Sequence, residues 1–306
     1  MTLLTTPGVK RHSAHGHAAG FIDVHLHCFT GSALAQDVLD QSAELRRQGF
    51  SHVVAIGMVN TRLSFEEIRS LIPGWVENRG NLLYHELDEL LEHARRSDGF
   101  IIPLVDTRYL WGDVASALSR YLEQGVRGVK GIWLTDRNDI GVKGVPETFG
   151  ITLKEYRRRE WEIFSYAQEN DLPLLYHMDA REHADTMAAL MRDFPRVRVN
   201  FPHFGIGRKP FSKILDDHPG VCTDMANLLP HLRKNPESYR DFIVHYQDQV
   251  CLGSDAFLYQ MGSIVQYPEA LRALGLSEEV LHKVCSVNPR TFLGRAVPQE
   301  RSGARF

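Results

Sequence analysis

The chain has 306 residues, of which 43% are hydrophobic and 24% are charged, and its formal net charge is −3. These proportions are those of a globular protein and exclude a disordered chain, a coiled coil or a collagen-like repeat. The near-neutral charge gives no sign of a nucleic-acid partner, and no apolar run approaches the roughly 20 residues of a membrane span.

The first 20 residues are polar and rich in Gly, Ala and His, and they contain no apolar segment of the kind found in secretory signals. We therefore expect a loose tail at 1–20, one folded domain at 21–297 and a short tail at 298–306. The four cysteines are too few for a disulfide framework, and none forms a CxxC pair. These features predict a cytoplasmic protein with reduced thiols.

From Phe21 onward, eight short apolar runs alternate with amphipathic segments. Each run is bounded by Gly, Pro or Asp, which is typical of buried parallel strands. The runs are FIDVHLH from Phe21, HVVAIGMV from His52, FIIPLVDT from Phe100, VRGVKGIWL from Val126, LPLLYHM from Leu172, VRVNFPHF from Val197, VCTDMA from Val221 and VCLGSDAF from Val250. The segments between them show helical spacing, and several stop at Gly. Eight such units predict an α/β fold, a single-domain (β/α)8 TIM barrel. A doubly wound sheet is the alternative, although no GxGxxG follows the first strand.

Two connections between predicted elements are long. One runs from Asn60 to about Tyr84 and the other from Thr135 to Lys154. Both follow the carboxyl end of a strand, which is the face of a TIM barrel that holds the active site. We expect both to be substrate loops.

Polar side chains stand at the predicted ends of four strands. His25 and His27 end the first strand, and residues i and i+2 of a strand face the same way. His177 ends the fifth strand, His203 the sixth and Asp255 the eighth. The carboxyl ends of barrel strands converge on one mouth, and imidazole and carboxylate groups are ligands for divalent metals. The sequence therefore predicts a metal site in the barrel mouth.

Five motifs occur in one order along the chain: DVHLH from Asp23, His177, His203, the GSD that ends at Asp255, and NPRTFLG from Asn288. With them the chain resembles the amidohydrolase superfamily from Phe21 to Gly294, and within it the amidohydrolase 2 branch of metal-dependent TIM-barrel hydrolases and decarboxylases. The resemblance implies one divalent ion, with zinc expected and manganese as the alternative. Its implied ligands are His25, His27, His177 and Asp255. It further implies that His203 and Asp255 are catalytic.

Lys130 lies on the fourth predicted strand, in GVRGVKGIW. In two-metal members of the superfamily, a carboxylated lysine on this strand bridges the two ions. In the branch that this chain resembles, one ion usually suffices, so we expect an uncarboxylated Lys130 inside the barrel or in contact with the substrate. The strand continues as Ile132-Trp133-Leu134, where many relatives have Lys-Leu-His-Pro.

Several other residues follow strand ends and are candidates for substrate binding. Arg181 follows His177 by four residues, and a guanidinium can bind a carboxylate through two hydrogen bonds. Tyr109, Trp133 and Phe257 could form the wall of an apolar pocket, and ordinary packing explains them equally well. Asp224, on the seventh strand, is a weaker candidate for assisting the site.

The leading hypothesis is a metal-dependent hydrolase that cleaves a C–O or C–N bond of a small anionic substrate with a metal-activated water. The alternative is a metal-dependent nonoxidative decarboxylase of an aromatic or unsaturated carboxylic acid. A TatD-like or PHP-like phosphoesterase also begins with HxH, but the TatD type has glutamate where this chain has Lys130. A non-catalytic binding protein would not need an intact ligand set. We expect a small-molecule substrate, no nucleic-acid or membrane partner, and self-association as one option.

Overall fold

The computed structural model describes residues 20–28, 35–58, 86–110, 112–136 and 143–298. Apart from Gly20 and Pro298, the two predicted tails lie outside these ranges, and so does the predicted loop from Asn60 to Tyr84. The second predicted loop, from Thr135 to Lys154, is described except for residues 137–142.

All strand pairs of the single sheet are parallel. A strand coincides with each predicted apolar run, although β2 begins two residues before its run, and the eighth run contains two short strands. The strands are β1 (Phe21–His27), β2 (Phe50–Met58), β3 (Ile101–Asp106), β4 (Gly128–Ile132), β5 (Pro173–His177), β6 (Arg198–Phe201), β7 (Cys222–Asp224), β8 (Val250–Cys251) and β9 (Ala256–Phe257). Their spatial order runs from β8 back to β1, and β9 lies on the other side of β1.

The last strand segment closes the sheet into a barrel. β8 pairs with β7, whereas β9 pairs with β1. The residues between β8 and β9 also bond to β1. Leu252 O accepts the backbone N–H of Val24 at 2.9 Å, and the N–H of Asp255 donates to His25 O at 2.7 Å. One segment thus bonds to both edges of the sheet. The single-domain TIM barrel is confirmed, and the doubly wound alternative is wrong.

Helices follow the strands along the chain. They are α1 (Ala35–Arg47), α2 (Glu86–Arg96), α3 (Val114–Gln124), α4 (Val145–Phe149), α5 (Leu153–Glu169), α6 (Ala180–Asp193), α7 (Arg208–Asp217), α8 (Leu229–Lys234), α9 (Pro236–His245), α10 (Gln266–Ala273), α11 (Glu278–His282) and α12 (Asn288–Leu293). α5 begins with a capping box formed by Thr152 and Glu155. α3 ends at Gly125, whose φ of 114° suits glycine. None of the described helices has the length and apolar character needed to cross a bilayer.

The barrel wall separates two apolar clusters. Val129, Tyr176 and Phe201 belong to the larger cluster, which lies between the strands and the helices. Val54 and Leu175 belong to the smaller cluster, whose members come from strands around the whole barrel. Only the barrel interior can bring such residues together, because alternate side chains of a strand face opposite ways.

The NPRTFLG motif closes the barrel at the amino-terminal ends of the strands. Phe292 and Leu293 of α12 join the interior cluster. Nδ2 of Asn288 donates to Gln247 O and to Val250 O, both at 2.7 Å. The motif therefore forms the floor of the barrel, opposite the mouth in which the polar residues lie.

Candidate metal and active site

His25 and His27 lie side by side at the end of β1, with ring centroids 5.5 Å apart. The register of β1 against β2 slips here, because Asp23 pairs with Val53 and Leu26 pairs with Ala55. β1 thus contains one more residue than β2 over this stretch, which is a β-bulge beside His25. The HxH spacing predicts the pair of histidines, but it carries no signal for the bulge.

His25, His27 and Asp255 form a compact group of potential metal ligands. Oδ1 of Asp255 lies 3.1 Å from His27 Nε2 and 3.4 Å from His25 Nε2. One donor atom from each of the three residues lies within 4.8 Å of the others. Nε2 of His25 is buried and has no hydrogen-bond partner among the described residues. Two imidazole nitrogens and a carboxylate oxygen form a donor set that suits zinc and related divalent ions, so the residues present fit the predicted metal.

His203 lies between the first-strand histidines and His177. Its ring centroid is 5.3 Å from that of His25 and 5.2 Å from that of His177. His177 is the last residue of β5, as predicted, and it is buried. The structure therefore brings the four predicted histidines together in one mouth, with His203 in contact with the other two strands.

His203 and Asp255 lie beyond the strand ends at which the sequence predicts them. His203 opens a 3-10 turn beyond β6, and Asp255 lies between β8 and β9, so neither residue ends its strand. Their φ angles are 59° and 63°, in the left-handed region that residues other than glycine rarely adopt. Such strained backbone persists only where the surroundings hold it, and it is frequent at functional sites.

Asp224, a weaker candidate in the sequence, contacts two of the site histidines. It ends β7, is fully buried, and approaches His25 Nδ1 with Oδ2 at 3.2 Å. Its Oδ1 accepts the backbone N–H of His203 at 3.1 Å. The sequence indicates it by the same signal as the others, a polar residue at the carboxyl end of a strand.

The hydrogen bonds fix the protons of two imidazoles. His203 Nδ1 lies 2.9 Å from Ala226 O, and a carbonyl oxygen only accepts, so Nδ1 carries the hydrogen. In the same way the carboxylate of Asp224 accepts from His25 Nδ1. In the neutral form of each ring, Nε2 therefore carries the lone pair, and His25 Nε2 is the atom next to Asp255.

The charges of the group match those of a metal site. Burial opposes ionisation of Asp255, but the imidazoles of His25 and His27 outweigh it and hold the pKa of this carboxyl well below its usual range. Burial lowers the pKa of His25 to about 4, against the attraction of Asp224 and Asp255. At neutral pH the carboxylate is ionised and the imidazole of His25 is neutral, as metal binding requires.

Lys130 belongs to a second charged group inside the barrel. Its neighbour Val129 lies in the outer cluster, and a Cβ on Gly131 would meet the Tyr176 ring at 2.4 Å on that same side, so Lys130 faces inward. Lys130 is paired in register with Asp106, whose carboxylate accepts from Arg108 Nε and Nη2 at 3.0 and 2.5 Å. Burial lowers the pKa of Lys130 to about 8, against the attraction of Asp106. At neutral pH the buried trio carries one net positive charge.

The other predicted substrate residues have partners of their own. The Trp133 side chain is only 6% exposed and stacks on Tyr156, with the ring centroids 5.3 Å apart. Arg181 is 55% exposed and forms an ion pair with Asp179. Neither of these contacts involves the histidine–aspartate group.

The structure describes the side chain of Phe257 but not that of Tyr109. Phe257 pairs in register with His27 and stacks on Tyr259 with centroids 5.5 Å apart, so it lies beside the metal group. The side chain of Tyr109 lies outside the described part of the structure.

Comparisons with known structures agree with the fold. A protein from Pseudomonas putida, provisionally named a 2-pyrone-4,6-dicarboxylic acid hydrolase, is 20% identical, with 91% of this chain and 98% of that chain covered and a TM-score of 0.56. A triple mutant of organophosphorus hydrolase from Deinococcus radiodurans is 13% identical, with 90% and 94% covered and a TM-score of 0.58. A provisionally named metal-dependent hydrolase from Lactobacillus casei ATCC 334 is 11% identical, with 92% and 98% covered and a TM-score of 0.55.

A search of curated proteins finds no match. The protein family described as amidohydrolase matches residues 22–295, which is most of the chain and runs from the second residue of β1 to beyond α12. The structures above share its fold, and the family match shows that the chain belongs to the amidohydrolase 2 family and is an enzyme of the amidohydrolase superfamily.

Proposed function

We propose that the protein is a metal-dependent hydrolase that cleaves an ester, lactone or amide bond of a small anionic substrate. The observation that carries this proposal is the approach of His25, His27 and Asp255 to one another in the barrel mouth. The name of the Lactobacillus casei protein, a metal-dependent hydrolase, supports it. Membership of the amidohydrolase family supports the reaction class.

In this proposal His25, His27, His177 and Asp255 hold one divalent ion, zinc in the first place and manganese as the alternative. When bound, such an ion lowers the pKa of a water molecule and polarises the bond that the water attacks. Asp255 would accept a proton from the attacking water and pass it to the leaving group, because a carboxylate oxygen can act as a general base and then as a general acid.

His203 acts through Nε2, since its Nδ1 donates to Ala226. As a neutral ring it accepts a proton at Nε2, and as a protonated ring it stabilises negative charge on the substrate oxygen. It lies between His25 and His177, which supports a role beside the proposed ion.

The positive charge of Lys130 supports the proposal of an anionic substrate. It contributes the positive charge of the buried trio with Asp106 and Arg108, and we propose that its ammonium group pairs with a carboxylate of the substrate. The name of the Pseudomonas putida protein describes the hydrolysis of a cyclic ester with two carboxyl groups, and such a compound would use this charge. We propose one ion and an uncarboxylated Lys130 that keeps its positive charge for the substrate. Phe257, next to His27, would form part of the pocket wall.

Isotope labelling tests the reaction class. The protein loaded with Zn²⁺ is incubated in ¹⁸O-labelled water with a panel of lactones, amides and aromatic carboxylates, and products are identified by mass spectrometry. We expect the label in a product carboxylate. The product alone, incubated with the enzyme, controls for oxygen exchange. Release of CO2 with solvent hydrogen on carbon, and without ¹⁸O in the product, would show a decarboxylase instead.

A further inference from the structure

The carboxylate of Asp224 connects two histidines that come from different parts of the barrel. Oδ2 lies 3.2 Å from Nδ1 of His25 on β1. Oδ1 accepts the backbone N–H of His203, beyond β6, at 3.1 Å and that of Ala226 at 3.0 Å. Ala226 O in turn lies 2.9 Å from His203 Nδ1. Asp224 and the turn that follows it therefore contact both the backbone and the ring of His203.

The neighbouring strand segment holds the Asp224 carboxylate in place. A Cβ added to Gly253 would lie 2.8 Å from both Cβ and Cγ of Asp224, and 3.0 Å from Oδ2. Contacts below 3.0 Å do not occur for real Cβ atoms, so only glycine allows this approach. With the backbone of Gly253 packed against it and no exposed surface, the carboxylate has little room to turn.

This placement has two chemical effects. An ionised carboxylate accepts hydrogen bonds and cannot donate them, so it fixes the hydrogen of His25 on Nδ1 and leaves Nε2 free to bind a metal. Metal-binding histidines commonly donate their other N–H to a carboxylate, which raises their basicity and orients the ring. The same carboxylate also holds the backbone of His203, whose φ of 59° needs such support.

We infer that Asp224 is a positioning residue that sets the His25 tautomer and the placement of His203 together, so that one carboxylate controls both the metal ligand and the catalytic histidine. This inference rests on the metal site of the proposed function. It does not depend on whether the reaction is a hydrolysis or a decarboxylation.

Asp224→Asn is the sharpest test because it replaces one oxygen with a nitrogen of similar size. With the amide oxygen kept toward the N–H groups of His203 and Ala226, the amide NH2 faces His25 Nδ1. A donor then meets a donor, and His25 moves its hydrogen to Nε2, where the metal would bind. The same substitution in a Ser-His-Asp triad leaves the geometry intact and imposes the wrong histidine tautomer.

Two measurements read the effect without any substrate. Nitrogen-15 NMR of the metal-free protein, labelled at histidine, reports the tautomer, and we expect Nδ1–H for His25 in the wild type and Nε2–H in Asp224→Asn. Competition with a chelator reports Zn²⁺ affinity, which we expect to fall roughly 10- to 100-fold in the variant, the usual effect of losing such a partner.

Glu160→Gln is the matched control. Glu160 is also buried and hydrogen-bonded, because it accepts from Tyr176 at 2.7 Å and from Arg159 at 3.0 Å. Its contacts do not include the site histidines, so this variant should keep the wild-type tautomers and Zn²⁺ affinity. Gly253→Ala offers a second variant, which displaces the carboxylate without changing its chemistry and should also weaken Zn²⁺ binding.

The inference is overturned if Asp224→Asn keeps His25 as Nδ1–H with wild-type Zn²⁺ affinity, or if Glu160→Gln weakens binding equally. If Asp224→Asn does not fold, the wild-type spectrum still decides, since His25 with its hydrogen on Nε2 contradicts the assignment. A wild-type protein that binds no Zn²⁺ contradicts the proposed function. The tautomers of the metal-free protein then still report on Asp224.

Discussion

His27 Nε2 and Asp255 Oδ1 lie 3.1 Å apart across the seam at which the barrel closes. His27 belongs to β1, the first strand, and Asp255 immediately precedes β9, which pairs with β1. The two groups meet only when the last strand segment has joined the first. Metal binding at the proposed site should therefore depend on the closed barrel and report on its closure.

Metal content is the first expected outcome. The protein purified with Zn²⁺ should contain about one ion per chain by elemental analysis, and His25→Ala should lose it, because His25 supplies a buried ligand atom. Removal of the ion with a chelator should lower the melting temperature, since a ligand bound only by the folded state stabilises it by about 2.7 kcal/mol at 100 times its Kd.

The exposed histidine of α8 provides the control for this experiment. His231→Ala should keep the full metal content. Full occupancy in a variant that combines His25→Ala with His177→Ala would contradict the ligand assignment.

His203→Ala should affect the rate more than the metal. The ring lies beside both His25 and His177, but the proposed ion has four other ligands. We expect most of the metal to remain and kcat to fall by roughly 10²- to 10³-fold, the scale for removing one group that stabilises a transition state. Loss of the ion from this variant would instead make His203 a direct ligand.

The charge of Lys130 should appear in the pH dependence of substrate affinity. Burial lowers the pKa of Lys130 to about 8, so the ammonium form predominates below pH 8 and is lost above it. The KM for an anionic substrate should therefore stay level up to about pH 7 and rise as the pH passes 8. Lys130→Met should raise KM at neutral pH and remove this rise.

A surface lysine separates this effect from changes in overall charge. Lys209→Met, at an exposed position of α7, should leave both KM and its pH profile at the wild-type values. An unchanged pH profile in Lys130→Met would mean that another group causes the rise.

Asn288 should contribute to stability and not to metal binding. Its Nδ2 is the donor for Gln247 O and Val250 O at the barrel floor. Asn288→Asp keeps the shape of the side chain but removes the donor, and a buried polar group that loses its partner costs about 1–3 kcal/mol. Urea denaturation should show a loss of this size, while the folded variant keeps one ion per chain. An unchanged unfolding free energy would contradict this role.

The barrel and the metal group are predictable from sequence for the same reason. Parallel strands buried on both faces are continuous apolar runs, and their carboxyl ends meet at one mouth whatever the details of each loop. Chemically capable residues at those ends, such as His27 and His177, therefore converge. The position of Trp133 on the outer face is also predictable from sequence. It lies three residues after the inward-facing Lys130, and successive side chains of a strand face opposite ways.

Other features depend on tertiary contacts that no local pattern reveals. The φ angles of His203 and Asp255 are held by Asp224 and by the seam with β1, which come from distant parts of the sequence. The bulge beside His25 arises from the register of β1 against β2. Arg181 is an intermediate case, because Asp179 caps α6 and a short-range pairing between them could have been anticipated.

The floor formed by α12 has a consequence for synthesis on the ribosome. α12 emerges after all nine strands, yet Arg290 contacts Ser51 at the start of β2, and Phe292 and Leu293 complete the interior cluster. When β1 to β9 have emerged from the ribosome and α12 has not, the apolar interior of the barrel is open to water at one end. Vectorial folding of this protein therefore ends late, and translation pauses before Asn288 would expose a surface of the kind that holdase chaperones bind.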